Sequence, residues 1–166
     1  SVEIEVLAPN VPPPIIIEDF EGVLPSINTF GPDGHVGPSF VDNPDKTGIN
    51  ASSKVVKYIK PSGALTWAGM YFDNDKLYLD LYSKVSMKVW TSKPGATILF
   101  KLENSNAYIV YEKEEPFVSS GKWEEIIIPL KEMYASFRGR RLDIKNFNND
   151  YIEQITFLIG NKKNEN

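Results

Sequence analysis

The feature that most constrains the fold is a series of short segments rich in β-branched and aromatic residues, each followed by turn-forming residues. Segments of this length and spacing are typical of a β-sandwich. The connections are too short to hold a helix that crosses between parallel strands. We therefore predict an all-β sandwich of about nine strands. The predicted strands are residues 15–20, 54–59, 65–72, 77–81, 84–90, 97–103, 107–112, 123–129 and 154–159.

One stretch predicts a different local structure. Residues 130–137 contain the good helix formers Lys131, Glu132, Met133 and Ala135. They predict a single helical segment of about two turns at the surface of the sandwich.

Length and composition restrict the class of protein. A chain of 166 residues fits one hydrophobic core, and 42% hydrophobic with 12% aromatic residues is enough apolar surface to fold. We divide it into an N-terminal strand with a proline-rich linker (1–14), a sandwich (15–160) and a polar tail (161–166). The net charge of −4 argues against a nucleic-acid partner. The absence of cysteine excludes disulfides, cysteine-bound zinc and thiol nucleophiles.

The sequence offers little for catalysis. His35 is the only histidine, and it lies in a loop rich in glycine and proline, so we expect an ordinary loop residue. No Glu-x-Asp-x-x-Glu strand of the kind found in jelly-roll laminarinases occurs. We predict a protein that is not an enzyme. No apolar run approaches the roughly 20 residues of a membrane helix, and the chain starts without a signal-peptide pattern. We expect no membrane insertion.

Alternation along two predicted strands separates a core row from an outer row, because successive side chains point to opposite faces. Segment 84–90 places Lys88 and Trp90 on the outer face, and segment 97–103 places Lys101 and Glu103 there. If the two strands belong to one sheet, these four side chains lie together. The predicted core rows are Val85, Met87 and Val89 in the first strand, and Ile98, Phe100 and Leu102 in the second.

A third strand carries the sharpest indication of a ligand. Trp67 and Tyr71 flank Gly69 on one face, while Met70 and Phe72 suit the core. Two aromatics beside a glycine form an apolar shelf on which sugar rings stack, with hydroxyls bonding to nearby polar side chains. The alternative is that Trp67 and Trp90 are ordinary core residues. Trp123 is expected to pack against or cap the sandwich edge. The predicted ligand site is Trp67, Tyr71, Lys88, Trp90, Lys101 and Glu103.

Several segments together resemble a known family. They are residues 40–55, 67–71, 87–90, 100–103 and 121–125, and they resemble the non-catalytic jelly-roll modules of Bacteroidetes glycan-utilisation proteins. Those modules are similar to galactose-binding-like carbohydrate-binding modules on laminarinases and surface glycan-binding proteins. The resemblance covers about residues 15–160. It implies a galactose-binding-like jelly roll that binds a polysaccharide such as a β-glucan.

The resemblance also implies a setting and leaves alternatives open. It places the chain outside the cell, at a bacterial surface or in the periplasm, beside other modules of one polypeptide. A structural spacer without ligand, or a glycan-active hydrolase or lyase, is the alternative function. The family continues to a last strand after a segment like 154–159. Residues 2–7 either take that place or belong to a preceding module.

Two further features follow the resemblance. No cofactor is required, but related jelly rolls hold a structural calcium through an acidic residue of the first core strand. Asp19 and Glu21 match that position, since calcium takes carboxylate oxygens, and the alternative is that both are solvated. The basic cluster from Arg138 to Arg141 either binds a uronic acid or sulfate through bidentate hydrogen bonds, or is a solvated loop.

Overall fold

The computed structural model describes residues 13–31, 36–93, 95–104, 108–141 and 151–160. These residues form strands and two 3-10 turns and contain no α-helix, which confirms the all-β, jelly-roll-like sandwich. The strands are β1 (Ile27–Phe30), β2 (Val36–Asp42), β3 (Lys54–Ile59), β4 (Gly69–Tyr78), β5 (Lys84–Trp90), β6 (Thr97–Glu103), β7 (Ile109–Pro116), β8 (Trp123–Pro129), β9 (Tyr134–Phe137), β10 (Arg140–Arg141) and β11 (Tyr151–Ile159).

Seven of these strands form one large antiparallel sheet in the order β1-β4-β11-β6-β7-β9-β10. The others form two ribbons, β2 with β3 and β5 with β8. The β5–β8 ribbon covers the large sheet, because Ile126 and Ile128 of β8 belong to the same core cluster as Phe100, Leu102 and Ile155. The large sheet therefore has an inner face toward this core and an outer face away from it.

The core follows the alternation of the sequence. Ile98, Phe100 and Leu102 are at most 4% exposed, as predicted. Phe72 is also buried at the same face of the large sheet. The predicted row of β5 packs against this cluster but stays partly exposed; it consists of Val85, Met87 and Val89.

Local predictions fail where tertiary pairing outweighs propensity. Residues 130–137 form a 3-10 turn (Leu130–Glu132) and then β9, not a helix. The reason is that β9 pairs with β7, which supplies backbone hydrogen bonds that an isolated two-turn helix lacks. Residues 15–20 are not a strand. The strands β3, β5, β6 and β8 have the predicted bounds, whereas β1, β2, β9 and β10 were not predicted.

Gly69 of β4 fixes how the Phe30 ring of the neighbouring strand β1 lies on the outer face. A Cβ at this position would overlap the carbonyl oxygen of Phe157 and lie 2.7 Å from Cζ of Phe30. Only glycine lets the Phe30 ring cross the strand so closely. The ring centroid of Phe30 then lies 6.3 Å from that of Tyr71, at one end of the outer face.

Trp123 ties the two ribbons together. Its indole Nε1 donates a hydrogen bond of 2.9 Å to Oδ1 of the buried Asn43. The amide of Asn43 donates to the carbonyl oxygens of Asn50 (2.8 Å) and Ser52 (2.9 Å), which holds the turn between β2 and β3. Trp123 therefore links the β5–β8 ribbon to the turn of the β2–β3 ribbon, and its predicted packing or capping at the sandwich edge stays a prediction.

Three predictions lie outside the described residues: the loop role of His35, the strand at 2–7 and the polar tail at 161–166. In the part of the chain that the structure describes, no helix has the length and apolar character needed to cross a bilayer.

Candidate interaction surface

The register of the large sheet aligns five side chains in one row, which we call the outer row: Tyr71, Thr156, Lys101, Glu112 and Tyr134. They belong to five neighbouring strands, from β4 to β9. Because neighbouring strands lie about 4.8 Å apart, the row extends over about 19 Å. It has an aromatic residue at each end and charged or hydroxyl groups between them.

The charges in the middle of this face satisfy one another. Glu103, next to Thr156 on the neighbouring strand, accepts a hydrogen bond of 2.7 Å from the Thr156 hydroxyl. Its other carboxylate oxygen lies 3.0 Å from Nζ of Lys101, which in turn lies 3.8 Å from a carboxylate oxygen of Glu112. The Glu103 side chain is only 7% exposed. A carboxylate this buried requires such partners, since an unpaired buried charge is very costly.

The six residues of the predicted ligand site do not come together. Tyr71, Lys101 and Glu103 lie on the outer face of the large sheet. Lys88 and Trp90 lie on β5, in the opposite layer, with their side chains on the exposed side of that ribbon. Trp67 precedes β4 in a turn. The predicted alternation is correct within β5 and β6, but these two strands belong to different sheets, and Trp67 does not lie on a strand.

The two tryptophans are nevertheless not core residues. Trp67 is 51% exposed and Trp90 is 37% exposed. The alternative in which both are buried against the opposite sheet is therefore wrong.

The two calcium candidates accept hydrogen bonds from the chain itself. Glu21 accepts from the backbone N–H and the hydroxyl of Ser53 and from the backbone N–H of Lys54. These bonds, that of the Ser53 hydroxyl first, hold the pKa of Glu21 below its ordinary value. Asp19 accepts from the backbone N–H of Glu21 at 3.0 Å. Among the described residues, no group of three or more histidine, aspartate and glutamate side chains is placed to hold a metal.

A second surface lies where the large sheet ends at β9 and β10. Three aromatic side chains there are between 42% and 45% exposed. The guanidinium of Arg138 lies 4.6 Å from the ring centroid of Tyr108 and 5.4 Å from that of Phe137. The guanidinium of Arg141 lies 5.8 Å from that of Tyr134. We call these side chains around the β9–β10 edge of the large sheet the arginine–aromatic patch; it consists of Tyr108, Tyr134, Phe137, Arg138 and Arg141. Tyr134 and Phe137 lie on opposite faces of β9, so the patch extends over both faces of this edge.

A tight hairpin turn presents Arg138 in this patch. Phe137 pairs with Arg140, so Arg138 and Gly139 form a two-residue loop, and both have positive φ, 49° and 73°. Two positive φ angles are the requirement of a type I′ turn, which matches the twist of antiparallel strands. The backbone N–H of Arg138 also donates to the carbonyl oxygen of Tyr108 at 2.7 Å. The turn and this bond fix the backbone from which the Arg138 side chain extends.

Sequence reasoning identified the arginines of the patch but not its aromatic residues. The short run from Tyr134 to Phe137 carries an aromatic residue at each end and is followed by Arg138-Gly139, and a glycine after such a run is a turn signal. The helix prediction for residues 130–137 hid that signal.

A comparison with models of protein families shows which family the chain belongs to. The family model described as complex I intermediate-associated protein 30 (CIA30) matches residues 63–166, more than half of the chain. The chain belongs to the CIA30 family. The matched CIA30 region begins just before β4 and includes every strand of the large sheet except β1. No curated protein matches this chain.

The CIA30 match corrects the resemblance to Bacteroidetes carbohydrate-binding modules, which is wrong. The predictions of polysaccharide binding, of a polysaccharide partner and of a cell-surface role in glycan use depended on that resemblance and are wrong with it. The segments that suggested it are strands and turns of a β-sandwich, an architecture that unrelated functions share. The structure also separates the six residues of the expected sugar site into three places.

Proposed function

We propose that this CIA30-family chain is a non-catalytic domain that associates with protein partners during the assembly of a larger complex. The family's name points to intermediates of complex I as those partners. The observation that carries the proposal is the arginine–aromatic patch. Exposed tyrosine, phenylalanine and arginine side chains grouped around one sheet edge have the residue types that are enriched in protein interfaces relative to the rest of the surface.

The energetics of the patch support association with another protein. Aromatic and arginine side chains are enriched among hot spots in interfaces, because the rings bury a large area at a small loss of rotamers and arginine offers several hydrogen-bond donors in a planar group. In this chain the guanidinium of Arg138 is already held against two rings. Less conformational freedom is then lost when a partner covers the patch.

The carboxylates on the outer face of the large sheet support a role without catalysis. The carboxylate of Glu103 accepts from Thr156 and Lys101, and Thr97 donates its hydroxyl to Glu114 at 2.5 Å. A carboxylate whose oxygens are already bound by neighbouring side chains is poorly placed to exchange protons with a substrate, because its oxygens lack free access to the reacting group.

The test is a native-gel and co-purification experiment in cells of the organism that encodes the chain. The tagged full-length protein is expected to migrate with complex I subunits. A Phe137→Ala/Arg138→Gln variant is expected to recover at least roughly tenfold less of them, since loss of two hot-spot side chains removes more than 1.4 kcal/mol of binding free energy.

The matched control is Lys88→Gln/Trp90→Ala, which removes one cation and one exposed aromatic residue from the opposite layer. It is expected to recover as many subunits as the unchanged chain. A tagged protein that migrates without complex I subunits would overturn the proposal, and so would equal losses from both double variants.

A further inference from the structure

We propose that the arginine–aromatic patch binds an acidic segment of a partner protein, in which carboxylate side chains alternate with apolar ones. This inference depends on the proposed function, because it names the chemistry of the partner at the same surface. The segment would cross the β9–β10 edge of the sheet, because Tyr134 and Phe137 lie on opposite faces of β9, and would place its carboxylates on the guanidinium groups and its apolar side chains on the exposed rings.

The arrangement of the guanidinium groups indicates carboxylates. A guanidinium that rests on a ring keeps the N–H groups at its edge available, and those form paired hydrogen bonds with a carboxylate. Arg138 lies over Tyr108 and Phe137, and Arg141 lies over Tyr134. Both cations are therefore oriented before a partner arrives.

The local charge also favours an acidic segment. Among the described residues, neither Arg138, Arg140 nor Arg141 forms an ion pair with a carboxylate. The nearest acidic member of the outer row, Glu112, lies 3.8 Å from Lys101. The patch is thus a small positive area on a chain whose net charge is −4. Attraction of this kind is short in range, because salt screens it beyond about 10 Å.

A short acidic peptide fits this distribution better than nucleic acid or a membrane surface. Binding to those larger polyanions needs many cations along an extended surface. The exposed aromatic residues would meet only phosphates and sugars there, whereas a peptide offers apolar side chains to cover them.

The test selects peptides from a random library of phage-displayed dodecamers on the immobilised full-length chain. We expect the recovered sequences to be enriched in aspartate and glutamate interleaved with leucine, isoleucine or aromatic residues. The best of them, synthesised with a fluorophore, should bind roughly tenfold more weakly to Arg138→Gln/Arg141→Gln, a loss of about 1.4 kcal/mol. Added salt should weaken its binding to the unchanged chain.

The control for charge is Lys88→Gln/Lys122→Gln, which removes two cations elsewhere. It should bind the peptide as the unchanged chain does. Recovery of neutral or basic peptides, recovery of no consensus, or tighter binding to single-stranded DNA or to phosphatidylserine vesicles would overturn the inference.

The two proposals can fail separately. If the tagged chain migrates with complex I subunits but selects no acidic peptides, the proposed function stands and the acidic segment is wrong. If it selects acidic peptides through the patch but migrates alone, the patch chemistry stands and the assembly role is wrong.

Discussion

The middle of the outer face and the arginine–aromatic patch are built from similar residues and use them differently. In the middle, Lys101 neutralises Glu103, and Thr156 completes the hydrogen bonding of that carboxylate. In the patch, Arg138 and Arg141 lie on exposed rings, and no carboxylate of the described residues pairs with them. The two regions are neighbours on one sheet, since Tyr134 belongs to both.

The difference separates charges that hold the fold from charges available to a partner. A buried carboxylate makes the fold dependent on its partners, because removing one of them leaves a charge without compensation and destabilises the folded chain. An exposed guanidinium contributes little to stability and keeps its donors free. In the sequence, Lys101 and the two arginines are all simply charged residues in or beside a strand. Their surroundings in the fold give them different roles.

The largest effect is expected from removing the cation in the middle of the face. Lys101→Met leaves the nearly buried Glu103 without its ion-pair partner and should lower the free energy of unfolding by about 3 kcal/mol. Urea denaturation followed by fluorescence measures this. Lys54→Met is the control, since it removes an ion pair of 2.7 Å that is exposed on both sides. It should cost less than about 1 kcal/mol. Equal costs would show that the middle of the face is not a structural cluster.

The next largest effect on the free energy of unfolding is expected from substitutions of Arg138 in the hairpin turn of the patch. Arg138 has a φ of 49°, a conformation that residues with a Cβ adopt at a cost of about 1 kcal/mol. Arg138→Ala keeps that cost and loses the ring contacts, whereas Arg138→Gly relieves it. The glycine variant should therefore be about 1 kcal/mol more stable than the alanine variant in thermal or urea unfolding. A more stable alanine variant would contradict the turn geometry.

A smaller effect is expected from Glu21, a carboxylate that hydrogen bonds satisfy at an exposed position. Those bonds lower its pKa from 4.5 in the folded chain, so its contribution is complete above that value and is lost as the pH falls through the lowered pKa. The stability difference between the unchanged chain and Glu21→Gln should shrink in acid. Unfolding between about pH 7 and about pH 3 measures it. If the stability difference between the two proteins grows in acid, the pKa of Glu21 is not lowered in the folded chain.

The smallest effect on stability is expected from the patch double variant. Arg138→Gln/Arg141→Gln should change the free energy of unfolding by no more than about 0.5 kcal/mol, because both side chains are exposed. The same protein should lose peptide binding. Unfolding by urea, run on the sample used for binding, checks both. Marked destabilisation would place these arginines with Lys101 among the structural charges.

The local pattern of the sequence predicted much of the fold. Alternation identified β6 with its inward Ile98, Phe100 and Leu102, and the bounds of four strands were right. Such patterns are readable because strand side chains alternate with a period of two. The site was not predictable in this way, because Lys101 and Trp90 have the same outward position in their own strands but lie in different layers.

The sequence by itself determined the all-β class, the core rows of the central strands and the positions of the charged side chains along each strand. Only the tertiary structure decided which strands are neighbours, and hence which charges meet. Pairing of β11 with β6 placed Thr156 beside Glu103, and pairing of β9 with β7 left Arg138 over Tyr108, whereas Lys101 lies two positions before Glu103 on the same strand. The physical reason is that a side chain's burial and partners depend on long-range register, which the local period does not specify.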